Sequence, residues 1–442
     1  MKRRLYYIGW VAALLLGAVA CDIAGIGPSE APVVTEYDRV VILYSPGYNT
    51  ISDYLKGDVR EIINSPAEYI PIKGGRKALI VFSHNTERAY DFTTPTSPYL
   101  IRIMRDYDGS ILCDTLATME KGTRIIDPEV ARHVLSVIGE YFPSKHYGMI
   151  FSSHGTGWLP KGYYGTEKDD DPIIWSGAPA IAGEANAANE APEGAVPYRL
   201  PDPDDIPVKS VGNEVEQDAR GKTWAYEMDL PEFVKACPLH LDYLLLDCCL
   251  MGGIETAYEW RNVADYIGFS AAEIPADGFY YTPLCKHLFY DTPAAPLEVC
   301  NDFYLRALTR SGSQRTAVIS YIDCSRLEEF ARVSARIFEK YRAEIAAVNP
   351  AEVQGFFRHN QHYFYDMLDI VEKAGVTGDD LAEFTAALNA CVLYRNHTEK
   401  VMGSVKVDRF CGFSMFLPCN GNATLYDFYK GLAWNKATAL VK

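Results

Sequence analysis

The sequence predicts an α/β protein: a mostly parallel central sheet with helices on both faces, plus a mainly helical C-terminal region. Up to about residue 290, apolar runs of strand length alternate with segments of helical period, the pattern of strands joined by crossover helices. Two of the runs, 147–153 and 244–246, climb straight into glycine-bearing turns. Fully buried strands read as continuous apolar runs, and in open α/β sheets the chemistry lies beyond their carboxyl ends. From Pro296 onward the period is helical.

In chain order, 39–44 reads as the first strand and 51–63 as the helix after it. Residues 77–83 are a second apolar strand. Runs 99–105 and 110–116 flank Asp106-Tyr107-Asp108-Gly109, a hairpin signal, because Asp-Gly supplies the positive φ of a tight turn. Asp127-Pro128-Glu129 opens a helix to about 141, with Asp as N-cap and Pro at the first position. The strand 147–153 then leads into His154.

From 159 to 223 the pattern dissolves. Asp169-Asp170-Asp171, a small-residue tract over 178–195 and eight prolines between 160 and 207 cannot bury a core. The stretch reads as one long exposed loop. Beside a site such loops act as lids, binding loops or cleavage points, unless they are insertions without a role. Order returns at 226–230. A helix over 231–237 precedes the strand ending at Cys249. A helix over 254–261, a strand over 266–270 and an aromatic loop at 273–281, placed to line a cleft, complete this part. Beyond it, helices are expected over 297–310, 326–346 and 379–395. Strands are expected at 318–322 and 412–417, the latter returning to the main sheet.

At 442 residues the chain has room for about two or three domains. With 48% apolar residues and 30 tyrosines, it is too apolar to be disordered over most of its length. A formal charge of -16 argues against a nucleic-acid partner, which needs a basic face. It suits a cationic substrate, although acidity is also the ordinary state of many soluble proteins. Lys2, Arg3 and Arg4 precede an apolar run to Ala20, and Ala18-Val19-Ala20 leads into Cys21. This is the pattern of a bacterial lipoprotein signal, with Cys21 as the acylated first residue. An ordinary signal peptide or an anchor helix would share the apolar run. Residues 1–20 are read as the signal and 21–35 as a tether. The principal domain is 36–290, with 159–223 as its loop, and 291–442 is the C-terminal region. The expectation is an exported monomer, held by lipid on the bacterial cell envelope.

Of eleven cysteines, most sit in apolar or irregularly spaced contexts and read as buried free thiols. Cys411 and Cys419 are spaced to pair across a short hairpin. No paired C-x-x-C spacing calls for a metal.

A thiolate is the nucleophile a cysteine offers, and at its ordinary pKa of about 8.5 a thiol is mostly protonated at neutral pH. A neighbouring imidazole can take that proton and later give one to a leaving amine. Charge developing on the carbonyl oxygen needs backbone N–H donors. If the strands ending at His154 and Cys249 are parallel neighbours, imidazole and thiol meet at one sheet edge. The N–H groups of Gly155 and Cys249 are then candidate donors. Residue chemistry alone leaves this open, since a Cys and a His at strand ends are more often core residues.

Ser152-Ser153-His154-Gly155-Thr156-Gly157-Trp158, then Asp247-Cys248-Cys249-Leu250-Met251, then 266–281, resemble the clostripain family of cysteine endopeptidases, part of the caspase-fold clan. The likeness covers roughly 36–290 well and the C-terminal region, through Gly412–Pro418, more loosely. It implies a caspase-like fold with His154 as general base and Cys249 as nucleophile. Leu250-Met251 fits the family motif in that register, and neighbours on a strand point to opposite faces, which leaves Cys248 buried. It also implies that Asp247 lies at the base of the pocket for the residue before the cut, favouring Arg or Lys. The other reading of Asp247 is an N-cap or structural acceptor. Family members resemble zymogens cleaved in the loop after the histidine, and Lys168, beside three aspartates, is the first candidate for self-cleavage. Some members need calcium, but no ligand spacing here defines a site, so no cofactor is expected. The function implied is a surface-anchored endopeptidase acting on protein or peptide substrates. The alternatives are a non-catalytic lipoprotein binding peptide or glycan on the same fold, and an amidase or transpeptidase using the same pair.

Overall fold

The computed structural model describes residues 36–163, 191–198, 213–289, 295–357, 363–421 and 423–442. The signal and tether, Cys21 and Lys168 lie outside them. Among the described residues no helix is long and apolar enough to cross a membrane.

β1 (Arg39–Gly47) and β2 (Lys77–Asn85) pair in parallel along their whole length, Arg39 opposite Lys77 and Gly47 opposite Asn85. The helix between them, Ser52–Ile63, buries Leu55, Val59 and Ile62 at helical spacing. β3 (Tyr99–Arg105) and β4 (Ile111–Thr118) form the expected antiparallel hairpin, with Gly109 at φ +89° in the turn. Helix Pro128–Tyr141 starts as read: the Asp127 carboxylate accepts from the N–H groups of Glu129 and Val130. β5 (Tyr147–Ser152) is buried at every position.

β6 (Val196–Pro197), β7 (Asn213–Gln217) and β8 (Thr223–Glu227) make a small sheet in the order β6-β8-β7. Residues 213–217 therefore do not belong to an exposed loop. Asn213, Glu214 and Val215 are fully buried. Val215 N–H donates to Tyr48 O, and Glu214 bonds the buried His84 on β2. The sequence hides this because Asn-Glu-Val-Glu-Gln carries one apolar residue, and its anchor is a buried polar pair.

Helix Leu230–Ala236 leads to β9 (Leu241–Asp247), helix Ile254–Trp260 to β10 (Ala264–Ser270), and helices Tyr281–Leu288 and Leu297–Leu308 to β11 (Val318–Asp323). Next come helices Leu327–Lys340 and Arg342–Ala346, then β12 (Tyr365–Asp366) and helices Met367–Lys373 and Gly378–Cys391. The chain ends with β13 (Val392–His397), β14 (Lys400–Val401), β15 (Val405–Lys406), β16 (Ser414–Met415) and helices Ala423–Gly431 and Ala433–Thr438.

The main sheet has nine strands in the order β13-β11-β10-β9-β5-β1-β2-β3-β4. Its centre, β10-β9-β5-β1-β2, is parallel, and the antiparallel pairs β11-β13 and β3-β4 extend it on either side. From β1 the chain steps one way to β2 and the other way to β5, β9 and β10. Right-handed crossovers then put helix Ser52–Ile63 on one face and the helices preceding β5, β9 and β10 on the other. The packing agrees: Ser52–Ile63 meets Tyr281–Leu288, whereas Pro128–Tyr141, Leu230–Ala236 and Ile254–Trp260 pack in a row.

The C-terminal region is mainly helical, but it also supplies β11 and β13 to the main sheet. The helix expected to reach 395 stops at Cys391 and turns directly into β13. The strand expected at 412–417 does not return to the main sheet. Its two-residue core, β16, pairs with β12. The helix expected over 326–346 is interrupted at Tyr341, where φ is -114°. Cys411 and Cys419 are both free thiols, not joined to each other.

Candidate active site

β5 and β9 are adjacent and parallel, with Ser152 opposite Asp247. Each ends where its apolar run ends, and each hands the chain to a short glycine-bearing turn. The turns carrying His154 and Cys249 therefore leave the same edge of the sheet side by side. Their contact is close: a β-carbon on Gly155 would lie 2.6 Å from Cys249 O and 2.7 Å from Cys248 Cβ. Only glycine lets the two turns approach so tightly.

The turn after β9 is stitched to the end of β10. Leu250 N–H donates to Ala272 O (3.0 Å) and Gly252 N–H to Ser270 O (2.7 Å). Leu250 itself sits at φ +62°, a left-handed conformation that costs a non-glycine residue about 1–2 kcal/mol. The surrounding bonds hold that strain in place next to Cys249.

Cys248 and Cys249 are both fully buried, and His154 is 2% exposed. The two thiols point to different surroundings. Cys249 Sγ accepts from Ile274 N–H at 3.0 Å, the kind of donor a thiolate takes, and lies 3.6 Å from Ile274 O. Cys248 Sγ lies 3.5 Å from Phe151 O, inside the sheet. His154 Nε2 lies 3.0 Å from Thr50 Oγ1, on the turn that follows β1. A small cavity of about 40 Å³ opens beside the imidazole, lined by Gly155, Gly157, Lys161, Glu227 and Met251. It has room for water. Burial pushes the Glu227 carboxyl up to about 7, opposed by the Gly162 N–H that donates to it.

Asp247 has no exposed surface. Its Oδ1 accepts from Phe279 N–H at 3.0 Å, and its Oδ2 accepts from Tyr281 Oη at 2.8 Å and from Ser152 Oγ at 3.0 Å. Ser152 Oγ also lies 3.4 Å from the buried Asp58. Burial, together with the Asp247 and Asp58 carboxylates, raises the Tyr281 phenol well above its ordinary range, which keeps it a donor. The 273–281 loop thus supplies a partner to Cys249 through Ile274 and to Asp247 through Phe279. Arg306 clamps that loop: it donates to Phe279 O (3.1 Å), stands 3.2 Å from Asp277 and 3.6 Å from Glu61, and lies over the Tyr280 ring. Arg310 also pairs with Asp277 at 2.8 Å.

Of the residues singled out from sequence, His154, Gly155, Asp247 and Cys249 come together at this edge. Thr50, Ile274, Tyr281 and Arg306 were not singled out. A strand-end signal was available for Thr50, which follows β1 as His154 follows β5, but a threonine in a turn carries no chemical flag of its own. Among the described residues no cluster of three or more His, Cys, Asp or Glu is placed to hold a metal ion.

A comparison with curated proteins finds no match. Among solved structures, the chain is similar to an inactive zymogen C11 protease from Parabacteroides distasonis, at 22% identity and TM-score 0.68, covering 92% of this chain and 99% of that one. It is similar also to a secreted C11 cysteine protease from Bacteroides thetaiotaomicron in complex with an irreversible peptide inhibitor, at 19% identity and TM-score 0.68, covering 91% and 98%. A further structure of a secreted C11 protease from that organism, iotapain, gives 22% identity and TM-score 0.67. At these identities the likeness is one of fold. The model of the clostripain family matches residues 218–440, just over half of the chain. That match includes Asp247, Cys249 and the C-terminal region but not His154, whereas the motifs had tied the likeness more firmly to 36–290. Family model and fold together make this chain a member of the clostripain family of cysteine endopeptidases, built on the caspase-like sheet.

Proposed function

We propose that the enzyme hydrolyses peptide bonds after Arg or Lys with Cys249 as nucleophile and His154 as general base. The observation that carries this reading is the in-register pairing of Ser152 with Asp247, which sets the two turns against each other at one sheet edge. The imidazole takes the Cys249 proton as Sγ bonds to the scissile carbonyl carbon. The oxyanion faces the N–H groups of Gly155 and Cys249. Collapse breaks the C–N bond, and the imidazolium gives its proton to the leaving amine. Water, deprotonated by His154, then attacks the thioester, and the released sulfur recovers a proton.

The preference for a cationic residue is supported by the buried carboxylates at the end of β9. Asp247 and Asp58 share Ser152, and Asp277 and Glu61 stand on the neighbouring loop and helix. A guanidinium or ammonium reaching Asp247 would replace donors that Tyr281 and Ser152 now supply. We further propose that the enzyme needs no cofactor, is exported and acylated at Cys21, and is activated by its own cut at Lys168. Two of its structural relatives are described as secreted and one as an inactive zymogen, which supports export and activation.

Fluorogenic peptides ending in Arg, Lys, Asp or Leu test this, with Cys249→Ala and Cys248→Ala as paired variants. Cleavage after Arg or Lys, insensitive to EDTA, is expected in wild type and in Cys248→Ala and lost in Cys249→Ala. Loss in Cys248→Ala alone would put the nucleophile one residue earlier. Mass spectrometry of the same preparations should find an acylated Cys21 at the N-terminus and a cut after Lys168 in wild type only. Identical fragments in wild type and Cys249→Ala would remove self-cleavage from the reading.

A further inference from the structure

We propose that Thr50 is a positioning residue for His154: its hydroxyl oxygen accepts the Nε2–H of the imidazole and assigns Nδ1 to the exchange of protons with Cys249. The inference rests on the reading of His154 as general base.

The contact, Thr50 Oγ1 to His154 Nε2, is 3.0 Å. The turn that presents it is fixed from several sides. Asn49 N–H donates to Gly47 O at 2.8 Å, and Ile51 N–H donates to Asn49 Oδ1 at 3.1 Å. Asn49 Nδ2 donates to Pro46 O at 3.0 Å and to Asn213 O, on β7, at 2.9 Å. Asn49 is fully buried, so these bonds are made in a setting where breaking them is costly. β1 and β5 are parallel neighbours, which brings the Thr50 turn and the His154 turn to the same end of the sheet. Thr50 is thus held in place by the backbone around it, and the histidine ring leans on a fixed oxygen.

A neutral imidazole carries one proton, and the partner of one nitrogen decides the role of the other. A resting hydroxyl can donate or accept, so the pair alone permits either tautomer. The reaction removes that freedom. Once the ring has taken the Cys249 proton, both its nitrogens are donors, and Thr50 lowers the energy of that state only by accepting. This is the third-group orientation that activated nucleophiles commonly need, supplied by a hydroxyl rather than a carboxylate.

The test uses the full-length chain and the Arg or Lys peptide it cleaves, with Thr50→Val, Thr50→Ala, Thr50→Ser and His154→Ala. Thr50→Val and Thr50→Ala should lower kcat by about tenfold or more with KM unchanged. The limb of the pH profile that reports the imidazole should move to lower pH, because the cation has lost its acceptor. Thr50→Ser should restore both kcat and that limb. The proposal is overturned if either hydroxyl-free variant, folded by circular dichroism, keeps the wild-type kcat and profile. It is equally overturned if Thr50→Ser loses as much as Thr50→Val with the pH limb unmoved, since the contact is then only structural. Activity surviving in His154→Ala would instead remove the general-base reading, and this proposal with it.

Discussion

Gly155 shows how far a single absent methyl group governs the site. The histidine turn and the cysteine turn are close enough that a β-carbon there would meet a backbone oxygen at 2.6 Å. Real side chains do not tolerate that distance, and the atom met is backbone, so one of the two turns would have to move. Overpacking of this kind costs typically 1–3 kcal/mol. Its larger effect would be on catalysis, where a misplacement of about 1 Å costs roughly a hundredfold. Gly155→Ala should therefore lower kcat/KM by about a hundredfold while lowering the unfolding free energy only modestly. Kinetics beside chemical denaturation measure the two effects, and wild-type kinetics in a folded Gly155→Ala would show that the turns do not need their contact. This glycine was legible because it follows a histidine at the end of an apolar strand. Thr50 was not, because its meaning depends on β1 lying beside β5, and alternation of strands and helices does not fix strand order. His84 and Glu214 were hidden for the same reason. Each looks like a surface residue until the fold buries one against the other.

At the scale of elements, the short helix Ile254–Trp260 ties the cysteine turn to the C-terminal region through one buried carboxylate. Glu255 has no exposed surface, and its Oε1 accepts from Phe416 N–H and from Tyr429 Oη, each at 2.8 Å. Burial, opposed by those two donors and the residue's own N–H, pushes its carboxyl from 4.5 up to about 7. In the unfolded chain the group ionises near 4.5, so between that pH and about 7 the folded state alone holds the proton. The stability this confers is complete below 4.5 and is lost as pH rises through about 7, an amount near 3 kcal/mol. Glu255→Gln stays neutral at every pH. Its unfolding free energy, compared with wild type across pH 4.5 to 8, should gain on wild type as pH rises and level off above about 7. Parallel curves for the two proteins would show that Glu255 does not titrate in this window. Element boundaries were readable where local chemistry sets them, as at Asp127-Pro128. They were not readable at Cys391, where nothing breaks the helical pattern of Tyr394-Arg395 and only pairing with β11 pulls 392–397 into a strand.

For the whole molecule, the division at residue 290 does not separate two folding units. β10, whose end holds the cysteine turn, is flanked by β9 on one side and by β11 on the other, Phe269 standing opposite Ser320. The aromatic floor under the histidine turn is also C-terminal: Trp158 packs against Phe416 and Tyr429 with ring centres 4.9 and 4.8 Å apart. Gly253 bridges to Ser414, and Arg306 reaches back to the loop that partners Asp247 and Cys249. A chain ending at residue 290 would expose the hydrogen-bonding edge of β10, strip a fully buried tryptophan of its neighbours and leave Glu255 with no donor from either partner. Such an edge is a template for pairing with other chains. Residues 36–290 expressed alone should therefore aggregate or lack a cooperative thermal transition, while residues 36–442 melt in one step. A monodisperse 36–290 fragment with a sharp transition would mean that the catalytic sheet closes without its last two strands. The extent of the family match, 218–440, argues for the single unit, because it runs from before β9 through the last helix without a break.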